Sequence, residues 1–230
     1  MTSPSRRPPL IHASIGLHVF AAGMMTVQPS WWPMTLATLV ADHAVITATG
    51  LWPTSTWLGP NLRRLPVAAT ARGEIALTID DGPDPDVTPR VLDLLDALAV
   101  RATFFCIGAR IRAHPALARA IVARGHAIEN HSDIHRHDFS LLGPARLDRE
   151  LASAQRTIVD TVGIAPRFFR APAGLRNVFL QAALERQDLA LTSWTRRGFD
   201  TVGRDPKRVA ARLVAGLAAG DILLLHDGHA

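Results

Sequence analysis

The chain carries acidic and imidazole side chains in a pattern typical of hydrolytic metal sites. Asp80 and Asp81 are adjacent, and His131 and His135 lie four residues apart farther along the chain. Carboxylate oxygens and imidazole nitrogens bind divalent metals, and three protein ligands leave positions open for water and substrate. We therefore expect Asp81, His131 and His135 to hold a metal, which leaves the neighbouring carboxylate available as a base.

Each part of this pattern also has a simpler explanation. Residues 80–85 have the composition of a tight turn, and histidines at this spacing are often surface residues. Position favours the chemical interpretation, because both groups follow apolar runs and imidazoles one helical turn apart can converge on one ion. His126, His137 and Asp138 are nearby competing groups; His137 would project elsewhere from a helix, so we assign it at most a supporting role.

Arg170 and His226 each follow a short apolar run. Arg170 comes after two phenylalanines, where a guanidinium either makes a surface ion pair or holds a carboxylate in one orientation. His226 comes after three leucines, where it is either a strand-end histidine or a proton donor at the site.

These residues are placed by alternating strands and helices. The predicted strands are residues 75–79, 102–107, 126–129, 167–170, 189–192 and 222–225. The predicted helices, most of them with proline in the first turn and glycine after the last, are 89–99, 114–125, 144–162 and 206–220. Because the polar residues follow the strands, the expected fold is an α/β barrel, whose reactive groups gather at the C-terminal ends of parallel strands.

Composition narrows the functional classes. The 230 residues suffice for one sizeable domain and a smaller region, and the net charge of +5 comes from arginines scattered among acids. This distribution, without aromatic–basic interleaving or zinc-knuckle spacing, argues against nucleic-acid binding. The single cysteine, Cys106, excludes an internal disulfide and a thiolate cluster, and its apolar neighbours predict a buried strand.

The N-terminal region, residues 1–65, differs in composition from the predicted catalytic region, residues 74–230, because it is more apolar and carries few charged residues. Residues 10–27 and 34–51 are two nearly uncharged stretches flanked by four tryptophans. Each approaches the roughly 20 residues that a membrane-spanning helix needs, which favours a transmembrane hairpin. Asp42, within the second stretch, favours the alternatives of soluble core helices or a cleaved signal followed by one anchor.

Arginines at both ends of the hairpin predict its orientation. Arg6 and Arg7 precede the first stretch, and Arg63 and Arg64 follow the second. The positive-inside tendency would place both ends, and the domain beyond them, on the cytoplasmic side of a bacterial inner membrane.

Four short motifs occur in one order: TIDDGP at 78–83, HSDIH at 131–135, RAPAG at 170–174 and LLHDG at 224–228. Together they resemble the polysaccharide deacetylase family, the NodB homology domain of carbohydrate esterases, over about residues 74–228. The resemblance implies a distorted (β/α) barrel that removes acetyl groups from amino sugars with a divalent metal, zinc foremost, cobalt or another transition metal otherwise.

The resemblance also implies roles for individual residues. Asp80 would be the general base, oriented by Arg170, and Asp81, His131 and His135 would be the metal ligands. His226, partnered by Asp200, would be the general acid, and the backbone N–H of Ala173 would help to bind the oxyanion.

Three departures from the family pattern are present. Arg197 and Thr201 stand where relatives carry a further acid and a second tryptophan, and Ala173 stands where an aromatic residue is common. The chain ends at Ala230, where relatives continue through another helix and strand, so we expect an unpaired barrel edge beside His226.

The expected function is therefore a membrane-associated deacetylase acting on an N-acylated amino-sugar glycan or on a lipid-linked sugar. The alternative is a catalytically impaired glycan-binding or membrane-interaction protein with a truncated deacetylase fold. An unrelated metallohydrolase such as a phosphoesterase is a third interpretation, for which more metal-bridging carboxylates would be expected. The oligomeric state is left open by the sequence.

Overall fold

A computed structural model describes residues 8–203 and 205–228. Within these residues, seven strands form one parallel sheet in the order β5-β4-β3-β2-β1-β7-β6. The strands are β1 (Ala76–Asp80), β2 (Thr103–Cys106), β3 (Ala127–Asn130), β4 (Phe168–Phe169), β5 (Ala190–Leu191), β6 (Arg196–Arg197) and β7 (Ile222–His226). The sequence predicted all of them except β6.

The two edge strands, β5 and β6, are consecutive in the chain and are separated only by residues 192–195. The Thr192 N–H donates to Phe169 O of β4 at 2.8 Å, and the Thr195 N–H donates to Ile222 O of β7 at 3.0 Å. Five Cα steps span at most about 18 Å, so the two edges of the sheet lie close together. The curled sheet therefore forms a distorted barrel, as predicted.

The prediction of an unpaired barrel edge beside His226 is wrong. β6 pairs with β7 at Leu223 and Leu224. Beyond this pairing, the backbone N–H of His226 donates to Oδ2 of Asp200 at 2.7 Å. A strand and a side chain thus cover the edge of β7 where the sequence predicted an exposed one.

The register between β1 and β7 places two functional residues side by side. The pairing runs from Ala76 opposite Ile222 to Asp80 opposite His226. Neighbouring strands lie about 4.8 Å apart, so these two residues meet at the C-terminal end of the sheet.

Helices pack around the sheet. The α-helices are α1 (Pro9–Val27), α2 (Trp32–Gly50), α3 (Val67–Ala71), α4 (Thr88–Ala97), α5 (Gly108–Ala113), α6 (Pro115–Ala123), α7 (Pro144–Val162), α8 (Leu180–Arg186) and α9 (Pro206–Val214). The sequence predicted α4, α6 and α7, but not α3, α5 and α8, which are too short for a periodic apolar face to be recognised. The prediction that the last helix continues to Gly220 is wrong, because α9 ends at Val214.

The longest barrel helix, α7, shows why these segments are helical. Leu147, Leu151, Ala154 and Ile158 recur at helical spacing and are fully buried. Gly163 then ends the helix with φ 74°, a left-handed conformation that glycine adopts without a Cβ clash. α7 packs on α5, α6, α8 and β3, and each buried leucine or isoleucine contributes about 1.5–3 kcal/mol.

The two N-terminal helices pack against each other and are joined by a 3₁₀ turn, Pro29–Trp31. Asp42 of α2 faces α1, where its Oδ2 accepts a hydrogen bond from Ser14 Oγ at 2.6 Å. This contact explains an acid within an apolar stretch, because the neighbouring helix satisfies it. Among the described helices, only α1 combines sufficient length with a mean hydropathy of 1.6 to cross a membrane. The hairpin as a pair of spans therefore remains a prediction, and Arg6 and Arg7 lie outside the described residues.

The segment after α2 joins the N-terminal helices directly to the barrel. Leu62 bridges to the β5 edge, since its N–H donates to Leu191 O at 2.9 Å and its carbonyl accepts from Ser193 N–H at 3.0 Å. Arg64 forms an ion pair with buried Asp221 at 3.0 Å, just before β7. Residues 62–64 thus contact the β5 edge and the residue that precedes β7.

Candidate active site

A cleft of about 210 Å³ opens at the C-terminal ends of the strands. Its walls include six of the eight residues that the sequence singled out: Asp80, Asp81, His131, His135, Ala173 and His226. The other two, Arg170 and Asp200, hydrogen-bond to members of this set. The sequence thus identified residues that the fold brings together from the ends of five strands.

Asp81, His131 and His135 form a compact group of candidate metal ligands, with their ligand atoms within 4.8 Å of one another. Oδ1 of Asp81 lies 3.2 Å from Nε2 of His131 and 3.4 Å from Nε2 of His135. Asp81 adopts φ 75° directly after β1, which turns its side chain away from the direction of Asp80. Asp80 and Asp81 can therefore have different roles although they are adjacent in the chain.

The hydrogen bonds around this group favour a cation at its centre. Nδ1 of His131 lies 2.8 Å from Arg170 O, and because a carbonyl only accepts, Nδ1 carries the proton. In the neutral ring, the lone pair of Nε2 then faces Oδ1 of Asp81, which is buried and has no hydrogen-bond partner among the described residues. Two facing acceptors need a proton or a metal ion between them, and this donor set of one oxygen and two nitrogens suits zinc or a similar metal.

The pKa shifts of this group follow from its burial and from the negative charge of the two carboxylates. Burial would lower the pKa of His131, but Asp80 and Asp81 outweigh it and raise that pKa above its usual value. Burial, together with the charge on His131, lowers the pKa of His135 to about 4, so this ring is neutral at pH 7. Burial would raise the pKa of Asp81, but its contacts with the histidines lower it, which keeps the carboxylate ionised.

The four-residue spacing of the histidines is not a helical turn. Residues 131–135 form a loop, with Ser132 at φ 67° and His135 at φ 49°. Ser132 Oγ accepts from the His135 N–H at 3.0 Å, and Asn130 Oδ1 accepts from the Ser132 N–H at 2.9 Å. Glu150 Oε2, on α7, accepts hydrogen bonds from the N–H groups of Asp133 and Ile134, so α7 also holds the loop. The prediction of a helical turn is wrong, but the loop still brings the centroids of the two imidazole rings to within 4.9 Å of each other.

Asp80 is held by the buried guanidinium of Arg170. Nη1 of Arg170 donates to Asp80 Oδ1 at 2.6 Å and to Thr78 Oγ1 at 2.8 Å, and Nη2 donates to Ser193 O at 3.1 Å. The face of the guanidinium stacks on Phe105, with its central carbon 4.1 Å from the ring centroid. These contacts fix one Asp80 oxygen and leave Oδ2, which lies 3.9 Å from His131 Nε2, beside the metal ligands.

His226 is oriented by Asp200. Nδ1 of His226 lies 2.9 Å from Asp200 Oδ1, and the other carboxylate oxygen accepts from the His226 backbone. Burial would raise the pKa of Asp200, but hydrogen bonding to His226 and its charge lower it, so Asp200 stays ionised. Nε2 is the ring nitrogen left for a ligand in the cleft. The turn that delivers Asp200 passes through Phe199 at φ 57°.

Ala173 lines the cleft in a left-handed conformation, with φ 53°. Gly174 follows with φ 74°, and a Cβ there would lie 2.6 Å from the Trp194 ring and 2.7 Å from Pro53 Cβ. Because Gly174 has no side chain, the RAPAG loop (residues 170–174) can pass between Trp194, on the cleft wall, and Pro53 of the N-terminal region.

Sequence reasoning missed several residues that build the cleft. Trp194, Arg197 and Thr201 line it, although the sequence marked the last two only as departures from a pattern. Asp227 packs so closely that a Cβ at Gly82 would lie 2.5 Å from its Oδ1. Burial raises the pKa of Asp227 to about 6, and Thr88 donates a hydrogen bond to it. Asp227 lies within the LLHDG motif, whereas Trp194, Arg197 and Thr201 lie in the segment after β5, away from all four motifs.

Two of the competing polar groups lie elsewhere. His126 precedes β3, at the opposite end of the sheet, where its Nδ1 accepts from the Ala102 N–H at 3.3 Å. Asp138 pairs with Arg136 at 2.7 Å. Neither lines the cleft.

Comparison with known proteins gives one consistent result. The polysaccharide deacetylase family matches residues 68–191. A chitooligosaccharide deacetylase of a Bradyrhizobium species is 38% identical over 156 residues, which cover 67% of this chain and 71% of the relative. A peptidoglycan-N-acetylglucosamine deacetylase of Bacillus cereus is 34% identical over 175 residues, which cover 75% of this chain and 77% of the relative.

A solved structure gives the same result at the level of the fold. A family 4 carbohydrate esterase from Streptomyces lividans, in complex with acetate, superposes with a TM-score of 0.64 and 31% identity. The match covers 68% of this chain and 80% of that chain.

Proposed function

This chain belongs to the polysaccharide deacetylase family of hydrolases, which act on N-acetyl amide bonds, and on that basis we propose that it removes N-acyl groups from amino sugars with a divalent metal. The observation that carries the proposal is the buried Oδ1 of Asp81, which has no hydrogen-bond partner among the residues described and faces the ring nitrogens of His131 and His135. Zinc fits this donor set, and the family's named substrates make an N-acetylglucosamine-containing glycan the first substrate class to test.

The residues of the chain supply the acid–base chemistry. A metal held by Asp81, His131 and His135 would polarise the amide carbonyl and acidify a water. Asp80, held in one rotamer by Arg170, would take a proton from that water through Oδ2. His226 would then donate its Nε2 proton to the departing amine, and Asp200 would stabilise the imidazolium.

The cleft wall completes the proposed site. The backbone N–H of Ala173 is the proposed donor to the oxygen of the tetrahedral intermediate, because its left-handed residue lies on the cleft. The immediate products are a carboxylic acid and a free amine, because the water gives one proton to Asp80 and His226 gives one proton to the amine. The acid then ionises in solution.

Metal content and turnover test the proposal together. Purified protein loaded with zinc or cobalt should bind one metal per chain and release acetate from chitooligosaccharides, peptidoglycan fragments or a lipid-linked N-acetylamino sugar. Asp80→Asn should retain the metal and lose roughly 10³-fold or more in kcat, whereas a His131→Ala/His135→Ala double variant should lose the metal as well. Stoichiometric metal binding without acyl release from any of these substrates would support the alternative of a catalytically impaired binding protein.

Membrane association is part of the same proposal. α1 is long and apolar enough for a membrane span or a signal sequence, and the tryptophans beside the helices, such as Trp31 and Trp52, are exposed. We place the catalytic region, residues 74–230, on the cytoplasmic side of a bacterial inner membrane, where lipid-linked sugars are accessible. Reporter fusions after residue 64 test this: cytoplasmic-type signal supports it, and export-type signal contradicts it.

A further inference from the structure

The geometry of Arg197 points to an anion-binding subsite within the catalytic cleft. We propose that the substrate of this enzyme carries a negatively charged substituent, a phosphate ester or a carboxylate, and that Arg197 binds it. This inference rests on the proposed deacetylase function and specifies the substrate of that site.

Strand alternation sends the two arginines of β6 in opposite directions. Arg196 points away from the cleft and pairs with buried Asp221 at 2.6 Å. Arg197, the next residue, lines the cleft together with Leu224, its neighbour on β7. The pleat of β6 therefore turns the second guanidinium toward the cleft.

The described residues offer Arg197 aromatic faces but no carboxylate. Its guanidinium carbon lies 5.6 Å from the Trp194 ring centroid and 5.0 Å from that of Phe199. Nε is buried and has no hydrogen-bond partner in the described part of the chain. Other acids of the site have partners of their own: Asp80 is paired with Arg170 and Asp200 with His226, while Asp81 faces the two histidines with which it would hold the metal.

A stacked arginine is well suited to bind an anion. The aromatic faces hold the planar guanidinium through cation–π contacts, and the N–H groups on its edge remain free to donate. Arg170 shows the same arrangement completed, since its face lies on Phe105 and its edge donates to the Asp80 carboxylate. At Arg197 the aromatic rings are present, and an anion on the substrate would accept the hydrogen bonds that Asp80 accepts at Arg170.

The charge of the cleft makes this assignment selective. A cation at position 197 attracts an anionic substrate and stands where the family pattern has an acid. The cleft holds about 210 Å³, so an anion bound there belongs to the same sugar or to the group directly attached to it. Phosphate and carboxylate share the bidentate geometry that a guanidinium recognises.

Three substrates that differ in charge test the subsite: a neutral methyl glycoside of chitotriose, a decyl phosphodiester of N-acetylglucosamine 1-phosphate, and a disaccharide that carries the carboxylate of N-acetylmuramic acid. The wild type should have a higher kcat/KM for at least one anionic substrate than for the neutral one. Arg197→Gln should lower kcat/KM for that substrate roughly 10- to 100-fold and change the neutral substrate less than about twofold. The anionic substrate that is preferred shows whether the charged group is a phosphate ester or a carboxylate.

Arg212→Gln is the matched control. Arg212 also stacks on Phe199, at 5.7 Å, but it is exposed and does not line the cleft. The control should leave the anionic preference unchanged, and Arg197→Lys should restore part of it. Equal loss on neutral and anionic substrates in Arg197→Gln, or no anionic preference in the wild type, would overturn the inference.

A binding measurement separates this inference from the proposed function. Metal-loaded protein is titrated calorimetrically with glucosamine 1-phosphate and with methyl glucosaminide, which needs no turnover. Tighter binding of the phosphate that is lost in Arg197→Gln supports the subsite even if no acyl group is released from any substrate. Equal binding of the two ligands contradicts it even if deacetylation is observed.

Discussion

Asp80→Asn should destabilise the protein far more than the loss of a similar ion pair on the surface. The pair between Arg170 and Asp80 has a 2.6 Å contact, and the two side chains are only 1% and 4% exposed. Removing one partner of a buried pair leaves the other charge uncompensated, which typically costs about 3–5 kcal/mol. Arg170 keeps its bonds to Thr78 and Ser193, so we expect the lower end, about 3 kcal/mol.

Asp148→Asn provides the matched control. Asp148 pairs with Arg186 at 2.8 Å, but the side chains are 35% and 49% exposed. Solvent-exposed pairs contribute about 0.2–1 kcal/mol, so this variant should shift stability by less than about 1 kcal/mol. The same charge change therefore gives different effects because burial differs.

Urea unfolding of metal-free protein, followed by far-UV circular dichroism, measures both variants without the contribution of the metal. The midpoints should move while the slope m stays constant. The double variant Asp80→Asn/Arg170→Met should recover part of the loss, because it removes the unpaired charge. Should Asp80→Asn shift the free energy of unfolding no more than Asp148→Asn, the assignment of this pair as a buried structural partner is wrong.

Further predictions concern the metal, pH and the glycines. Zinc added to stripped protein should raise Tm, since a ligand bound only to the folded state stabilises it by about 2.7 kcal/mol at 100 times Kd; this shift should disappear in Asp81→Asn, and its persistence there would contradict the ligand assignment. Asp227 has a pKa raised to about 6, above its unfolded value of about 3.9, so the folded state holds its proton longer and stability should fall as pH rises between these values. Asp227→Asn should therefore gain stability relative to the wild type, on the order of 2 kcal/mol, at pH 7 but not at pH 4, as measured by urea unfolding at both values; an equal effect at the two pH values would contradict the cause. Gly174→Ala and Gly163→Ala share φ 74°, but only the former would place a Cβ against Trp194 and Pro53, whereas nothing lies within 4 Å at Gly163. Gly163→Ala should cost about 1 kcal/mol, and Gly174→Ala should cost more and impair acyl release; equal costs in urea unfolding would show that backbone conformation alone matters.

The parts of the fold that could be predicted from the sequence are those with a strong local pattern. α7 has an apolar face over five turns and ends at glycine, and β1 and β7 are apolar runs that lead into polar motifs. β6 was missed because Arg196 and Arg197 have no strand pattern; their pairing depends on β7, which is distant in sequence. The end of α9 was placed too late because Gly216, at φ 65°, lies before the more obvious Gly220.

The site shows the same division. The identity of its residues follows from motifs, but their geometry depends on contacts that a one-dimensional pattern does not contain. His131 and His135 meet because Asn130, Ser132 and Glu150 hold a loop, not because of helical periodicity. The closed edge beside His226 depends on Asp200, whose backbone partner could not be inferred from spacing.

The attachment of residues 62–64 to the β5 edge and to Asp221 before β7 has a consequence for what the enzyme can reach. A catalytic domain on a flexible linker samples many heights above a bilayer, and its reach grows with the length of the linker. Here Leu62 is hydrogen-bonded to Leu191 of β5 and to Ser193 just after it, and Arg64 is paired with Asp221. A membrane that contained α1 would thus hold the cleft at one depth and one tilt, so only acyl groups presented at that depth would enter it.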